Sequence, residues 1–204
     1  MAMWARVHSI TGMLILTFVA LHLAVHLTAL LGIAAHVRFL SVVQVVYRNP
    51  VVEPVLLLAF ALQIGIGIRF AISRWRSTRA DRWARVQLVS GLYLAFFVIN
   101  HTGAALYARY GAALDTNFYW ASGVLLHPVL RWYFYPYYGL AILAVFTHFA
   151  AAVWYRTRSV GSVRLAILSG VGIAGLILLS FGGWLYPIAT PDAYQRYYDG
   201  LIAL

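Results

Sequence analysis

The run SITGMLILTFVALHLAVHLTALLGIAA, Ser9 to Ala35, contains no acidic or basic side chain other than two histidines. A bilayer core of about 30 Å is crossed by roughly 20 apolar residues in a helix, so this segment alone is long enough to span. Four more runs of the same kind follow, at about 51–72, 88–108, 132–155 and 165–186. The chain is 63% apolar and 10% charged, where a soluble domain needs roughly 25% charged residues to dress its surface. The expectation is an all-α integral membrane protein: one transmembrane domain over 1–204, a bundle of five transmembrane helices. The first helix is placed at about 9–35. Its apolar run is too long for a signal peptide, and no clear small-residue cleavage site follows it. Residues 36–50 are polar at their ends and apolar within, which predicts a short interfacial element.

The net charge of +10 is carried by 15 arginines without a lysine. They cluster in short loops between apolar runs, so anionic lipid headgroups and topology account for them better than nucleic acid does. One set of helix ends holds Arg6, Arg74, Arg76, Arg79, Arg82, Arg85, Arg156, Arg158 and Arg164; the other holds Arg38, Arg48, Arg109, Arg131 and Arg196. The excess puts the first set in the cytoplasm. The N-terminus is then cytoplasmic, the C-terminus outside, and the protein a multi-pass component of a bacterial inner membrane. With no cysteine, thiolate-bound iron–sulfur clusters and disulfides are excluded within the chain. Tyr107, Tyr110, Tyr119, Trp120, Trp132, Tyr133, Tyr135, Tyr137 and Tyr138 read as an interfacial aromatic belt without a chemical role.

An internal repeat places two histidines. Arg6-Val-His-Ser-Ile-Thr-Gly12 and Arg85-Val-Gln-Leu-Val-Ser-Gly91 share Arg-Val, a three-residue gap and Thr/Ser-Gly, and a histidine follows each glycine at equal spacing: His22 and His101. Both helices enter from the cytoplasm, so the histidines lie at one depth, about 24 Å from their arginines along the axis. Two neutral imidazoles at one depth can hold a haem iron from both sides, giving a low-spin centre suited to electron transfer. The alternative is that each histidine hydrogen-bonds across a helix interface.

His148 is a further candidate, flanked by Ala141, Ala144, Ala151 and Ala152 at helical spacing. Small neighbours leave a flat groove for a haem edge, or simply let two helices approach closely. A second haem needs a partner ligand at similar depth on the second helix, whose interior polar residues are Gln63 and Arg69. Arg69 either snorkels to the interface or pairs with a haem propionate or a lipid phosphate. His26 reads as a neighbour of the haem or of a water pocket, and His36 and His127 as solvated loop residues. His8, beside Arg6, Ser9 and Thr11, reads either as part of a quinone carbonyl site or as a helix start capped by Ser9.

Arg-Val-His8-Ser-Ile-Thr-Gly, His22-Leu23, Gln87-x-x-Ser-Gly with His101, and Thr-His148-Phe together resemble the single-chain, five-helix cytochrome b anchor of succinate dehydrogenases and fumarate reductases. The resemblance covers most of the chain. It implies a membrane anchor that fixes a flavoprotein and an iron–sulfur subunit to the cytoplasmic face and passes electrons between them and quinone, typically through two haems b. It implies that His22 and His101 hold the outer haem and that His148 is one ligand of the inner haem. The other inner ligand belongs near Gln63, where this sequence departs from the pattern: one haem is then expected, with two as the alternative. Dicarboxylate chemistry would belong to the partner chains, and no catalytic residue is assigned here. The rival expectation is a cytochrome b-like accessory or structural subunit of another membrane electron-transfer complex. A small transporter is disfavoured, because the spans lack the acidic residues that usually couple ions.

Overall fold

The computed structural model describes residues 2–75 and 81–203. Arg76 and Arg79, which contribute to the topology argument, lie outside the described residues. Eight α-helices follow in chain order: α1 Ala2–Leu27, α2 Ile33–Tyr47, α3 Val52–Trp75, α4 Arg82–Leu106, α5 Phe118–Leu126, α6 Arg131–Thr157, α7 Val160–Phe181 and α8 Asp192–Ile202. A tight 3-10 turn, Thr28–Leu31, extends α1, and a wide π turn, Tyr107–Gly111, extends α4. Five of these helices, α1, α3, α4, α6 and α7, are long and apolar enough to cross a membrane.

Local chemistry sets the ends. The single apolar run from Ser9 to Ala35 is divided by Gly32, whose φ of 103° lies where side-chain-bearing residues rarely go. The first spanning helix therefore stops short of the predicted Ala35, and Ile33 starts α2 instead. The last spanning helix ends at Phe181 and not at Tyr186, because Gly182 and Gly183, the latter at φ 74°, turn the chain. Asp81 caps α4 by accepting the Ala84 N–H at 2.8 Å and also takes the Tyr155 hydroxyl at 2.8 Å. These bonds hold its carboxyl below the ordinary carboxylate range, the backbone N–H first. Arg158, in the left-handed region at φ 54°, and the Ser159 cap make the short turn from α6 to α7.

The five long helices close a ring in the order α1, α3, α4, α6, α7 and back to α1. Each packs on its two neighbours, and no two helices across the ring approach closely through their backbones among the described residues. The end where the chain begins is called the near end below, and the opposite end the far end. The far end is capped by α2, α5 and α8. Phe118, Ser122 and Leu125 of α5 are fully buried, and Tyr194 and Tyr198 of α8 pack beneath them. Tyr198 donates to the Trp120 carbonyl, Tyr194 to that of Asp115 and Tyr186 to that of Ala29. The sequence pattern shows the five long helices and a short element where α2 lies, but neither α5 nor α8.

Candidate functional site

Inside the ring, four histidines gather toward the far end. The rings of His22 on α1 and His101 on α4 lie 6.2 Å apart between centroids and are turned 72° to one another. The backbones of these two helices do not approach one another closely among the described residues. Two metal–nitrogen bonds of about 2 Å and two ring radii of about 1 Å add up to this separation, so the pair would accommodate one metal ion held by both rings. Aromatic rings set both imidazoles. Phe97 stacks on His101 at 5.0 Å and Phe18 on His22 at 5.6 Å, each one helical turn earlier. Trp120 and Tyr138 complete the wall around His101, at 5.7 and 6.3 Å. These two belong to the supposed interfacial belt; Trp120 is instead buried, and Tyr137 beside it donates to the Phe97 carbonyl at 3.3 Å. Among the described residues His101 meets rings and makes no hydrogen bond of its own. A polar ring so placed in an apolar interior calls for a partner, and none of the described residues supplies one.

His22 continues into a chain. Its Nε2 lies 3.1 Å from Nε2 of His26, and Nδ1 of His26 lies 3.2 Å from Nε2 of His36. His26 turns one nitrogen to each neighbour, so the nitrogens run in line and do not converge; no three metal-ligating side chains among the described residues form a cage for a bare metal ion. A metal held through Nε2 of His22 would have to displace this contact with His26. His36 contradicts its reading as a solvated loop residue: it is 0% exposed, on the inward face of α2 with Leu40, between Phe118 and Phe181. Burial, and then the neighbouring His22, pull its pKa down to about 4. Gly32 permits the turn, and the packing of His36 on Phe118 and Phe181 holds α2 back over the bundle. His127, also read as solvated, lies 3.2 Å from Asp199 of α8 with its side chain 11% exposed.

The near half holds two smaller clusters, and the internal repeat relates them. Thr11 of α1 reaches Gln63 of α3 at 2.6 Å, and a Cβ on Gly12 would stand 3.1 Å from the Gln63 amide nitrogen. Ser90 of α4 reaches His148 of α6 at 3.2 Å, and a Cβ on Gly91 would stand 3.1 Å from the His148 ring. Each glycine makes room for the side chain that its Thr or Ser holds. His148 Nδ1 also lies 3.1 Å from the Gln87 carbonyl. A carbonyl accepts only, so Nδ1 carries the proton and the ring's lone pair is on Nε2, the orientation seen in ligating histidines.

His8 joins the first cluster, its Nε2 3.3 Å from the Gln63 amide nitrogen and its ring edge-on to Phe70 at 5.5 Å. Arg6 is exposed on the opposite face of α1 from His8, Thr11 and Gly12, and Ser9 is exposed on its flank, about 100° round from His8 at 100° per residue. Ser9 is not a helix cap, since α1 begins at Ala2. Arg69 is exposed, its guanidinium 5.4 Å from the centre of the Trp4 ring, and does not enter the ring interior. No protein-family model matches this chain, and neither a curated protein nor a solved structure is found to be similar to it.

Proposed function

We propose that this chain is a haem b-binding membrane anchor that passes electrons between a flavoprotein and iron–sulfur module and membrane quinone, in a complex of succinate dehydrogenase or fumarate reductase type. The observation that supports this reading is the pair His22 and His101, 6.2 Å apart between helices whose backbones do not approach closely. The near end is cytoplasmic on the arginine excess, in a bacterial inner membrane, and the partner subunits dock there.

Haem b, when bound, supplies reversible one-electron exchange. The chain's own contribution is positional. His22 and His101 would hold the iron, Phe18 and Phe97 fix the planes of their rings, and Trp120 and Tyr138 keep water from His101. Two imidazoles leave no open position for oxygen. The test is a reduced-minus-oxidised spectrum and haem-to-protein ratio on the purified chain. A low-spin b-type spectrum is expected, and a chain that takes up no haem overturns the reading.

A second reading rests on Gln63. With an amide in place of an inner ligand, the only haem lies about 24 Å along the axis from the near end, far from a donor docked there. That favours a cytochrome b-like accessory subunit of another membrane complex, without succinate chemistry. Co-purification separates the two. A flavoprotein and an iron–sulfur protein recovered with the chain support the first reading; an unrelated membrane assembly supports the second.

A further inference from the structure

Asn100 stands one residue before His101 on α4, yet the two side chains part company. His101 meets rings inside the bundle, while Asn100 is exposed on the outside of it. Its depth makes that placement costly. Asn100 lies about 27 Å along the axis from Arg82 and about 14 Å from Arg109, within an apolar helix long enough to span. A short carboxamide does not reach a headgroup layer from there as a long arginine side chain would. The other two carboxamides within the spans, Gln63 and Gln87, are partly covered by the chain; Asn100 alone is exposed.

One hydrogen bond fixes how the amide is turned. The carboxamide nitrogen donates to the Phe96 carbonyl at 2.8 Å, and since a carbonyl only accepts, the group there is the NH2 and not the oxygen. The amide oxygen and the second N–H make no hydrogen bond among the described residues. In hydrocarbon neither has water to turn to.

The surroundings of Asn100 leave room for another helix. Leu92, Phe96, Asn100 and Gly103 recur at spacings of four, four and three, and so share one face. Leu92 and Phe96 are 40% and 47% exposed, and Val89 and Ile99 beside them 64% and 56%. Of the five spans α4 is the least buried within the chain. A Cβ on Gly103 would meet nothing within 4 Å, so packing inside the chain does not require this glycine. It bares backbone one turn from Asn100, where a second helix can come close.

The chemistry of the amide names the occupant. A carboxamide carries donor and acceptor together and is its own complement. Two copies inserted in the same direction hold Asn100 at the same depth with no further requirement. A twofold axis along the membrane normal then sets α4 beside α4 of the second copy, and the two amides exchange a pair of hydrogen bonds. We propose that this protein is a homodimer in the membrane, joined through the outward face of α4, with Asn100 paired to Asn100 of the second copy and Gly103 letting the backbones approach. The proposal depends neither on the haem nor on quinone exchange.

The experiment mixes donor-labelled and acceptor-labelled full chains in phosphatidylcholine vesicles and follows energy transfer on dilution with lipid. Transfer above that of a random mixture is expected. Asn100→Leu removes both hydrogen bonds and should weaken self-association about tenfold, whereas Asn100→Gln keeps an amide and should stay within about threefold of wild type. Melting temperatures show whether each variant is folded. A second measurement leaves Asn100 in place. The chain has no cysteine, so single replacements report cleanly. Phe96→Cys and Ala104→Cys, one turn to either side, should give disulfide-linked dimers in membranes under a permeant copper oxidant. Leu168→Cys, 67% exposed on α7, should not. Should Asn100→Leu fail to fold, these cross-links decide. Wild-type transfer no greater than random, Asn100→Leu associating as tightly as wild type, or dimers linked at Leu168→Cys and not on α4 overturns the proposal. So does linkage of the α4 cysteines to a chain of another mass, which would assign this face to a different protein.

Discussion

His26 Nδ1 and His36 Nε2 meet at 3.2 Å with their rings 7° from parallel, and Phe181 stands edge-on to both. An arm of α2 is thus fastened to α1 by a hydrogen bond inside an aromatic box. The bond needs at least one bare nitrogen at the junction, which makes the far end sensitive to acid.

The sign of that sensitivity follows from burial. His36 has a folded-state pKa of about 4 against an unfolded value of 6.5. Between these values the unfolded chain binds more protons, so stability is full above pH 6.5 and falls as pH drops toward 4. The slope from this one group approaches about 1.4 kcal/mol per pH unit. Melting in detergent across this range should show the fall, and His36→Gln should flatten it. A wild-type profile as flat as that of the variant refutes the assignment.

Replacing His22 or His101 with alanine should each abolish the low-spin haem spectrum, since one imidazole cannot hold a six-coordinate iron. His26→Ala should keep it, because His26 is bonded to His22 and is not the ring that faces His101. An unchanged spectrum in both the His22 and His101 variants would remove the site.

Gln63→His should add a haem. The substitution puts an imidazole where the internal repeat has His148 on the other helix pair, and Gly12 keeps the room that Gly91 keeps for His148. Haem-to-protein ratios should rise from one to two. If the ratio stays at one, His148 is a packing residue held by Ser90 and Gln87.

Gly170→Ala should destabilise the α6–α7 seam. A Cβ there would lie 2.6 Å from Cβ of Phe146, a backbone-fixed atom that has no free end to swing away. Overpacking of this kind costs about 1–3 kcal/mol, more than the helix propensity gained from alanine. The same change at Gly172, with no neighbour within 4 Å, should be neutral or slightly stabilising. Melting temperatures of the two variants make the comparison.

Reporter fusions test orientation. Insertion at the Arg158 turn should report cytoplasm, and fusion after Ile202 the outside. The reverse result inverts the placement of the proposed haem site.

The spans were legible because each is a long apolar run, a signal that needs no tertiary knowledge. The facing of His22 and His101 was legible because Arg6 and Arg85 set a common origin and the intervening spacing is equal. His36 was not legible. Whether Gly32 bends the chain out into solvent or back over the bundle is decided by what α2 meets, and that is Phe118 and Phe181, far away in sequence. Trp120 and Tyr138 were misread for a related reason: a girdle facing lipid and a wall facing a histidine have the same composition. Gln63 was visible as an oddity, but its hold on Thr11 and His8 was not, because sequence spacing shows faces and not partners.

The ring has a consequence for biogenesis. Its members are made in the order α1, α3, α4, α6, α7, which is also their order around the circle. Until the last helix leaves the ribosome the circle is an open crescent, with His22 and His101 reachable from the side. Arrival of α7 brings Phe181 against His26 and His36 and joins the two ends of the crescent. On the proposed haem reading, the side of the crescent is open to a flat macrocycle until α7 arrives, so this order of synthesis provides a route for delivery before the ring closes.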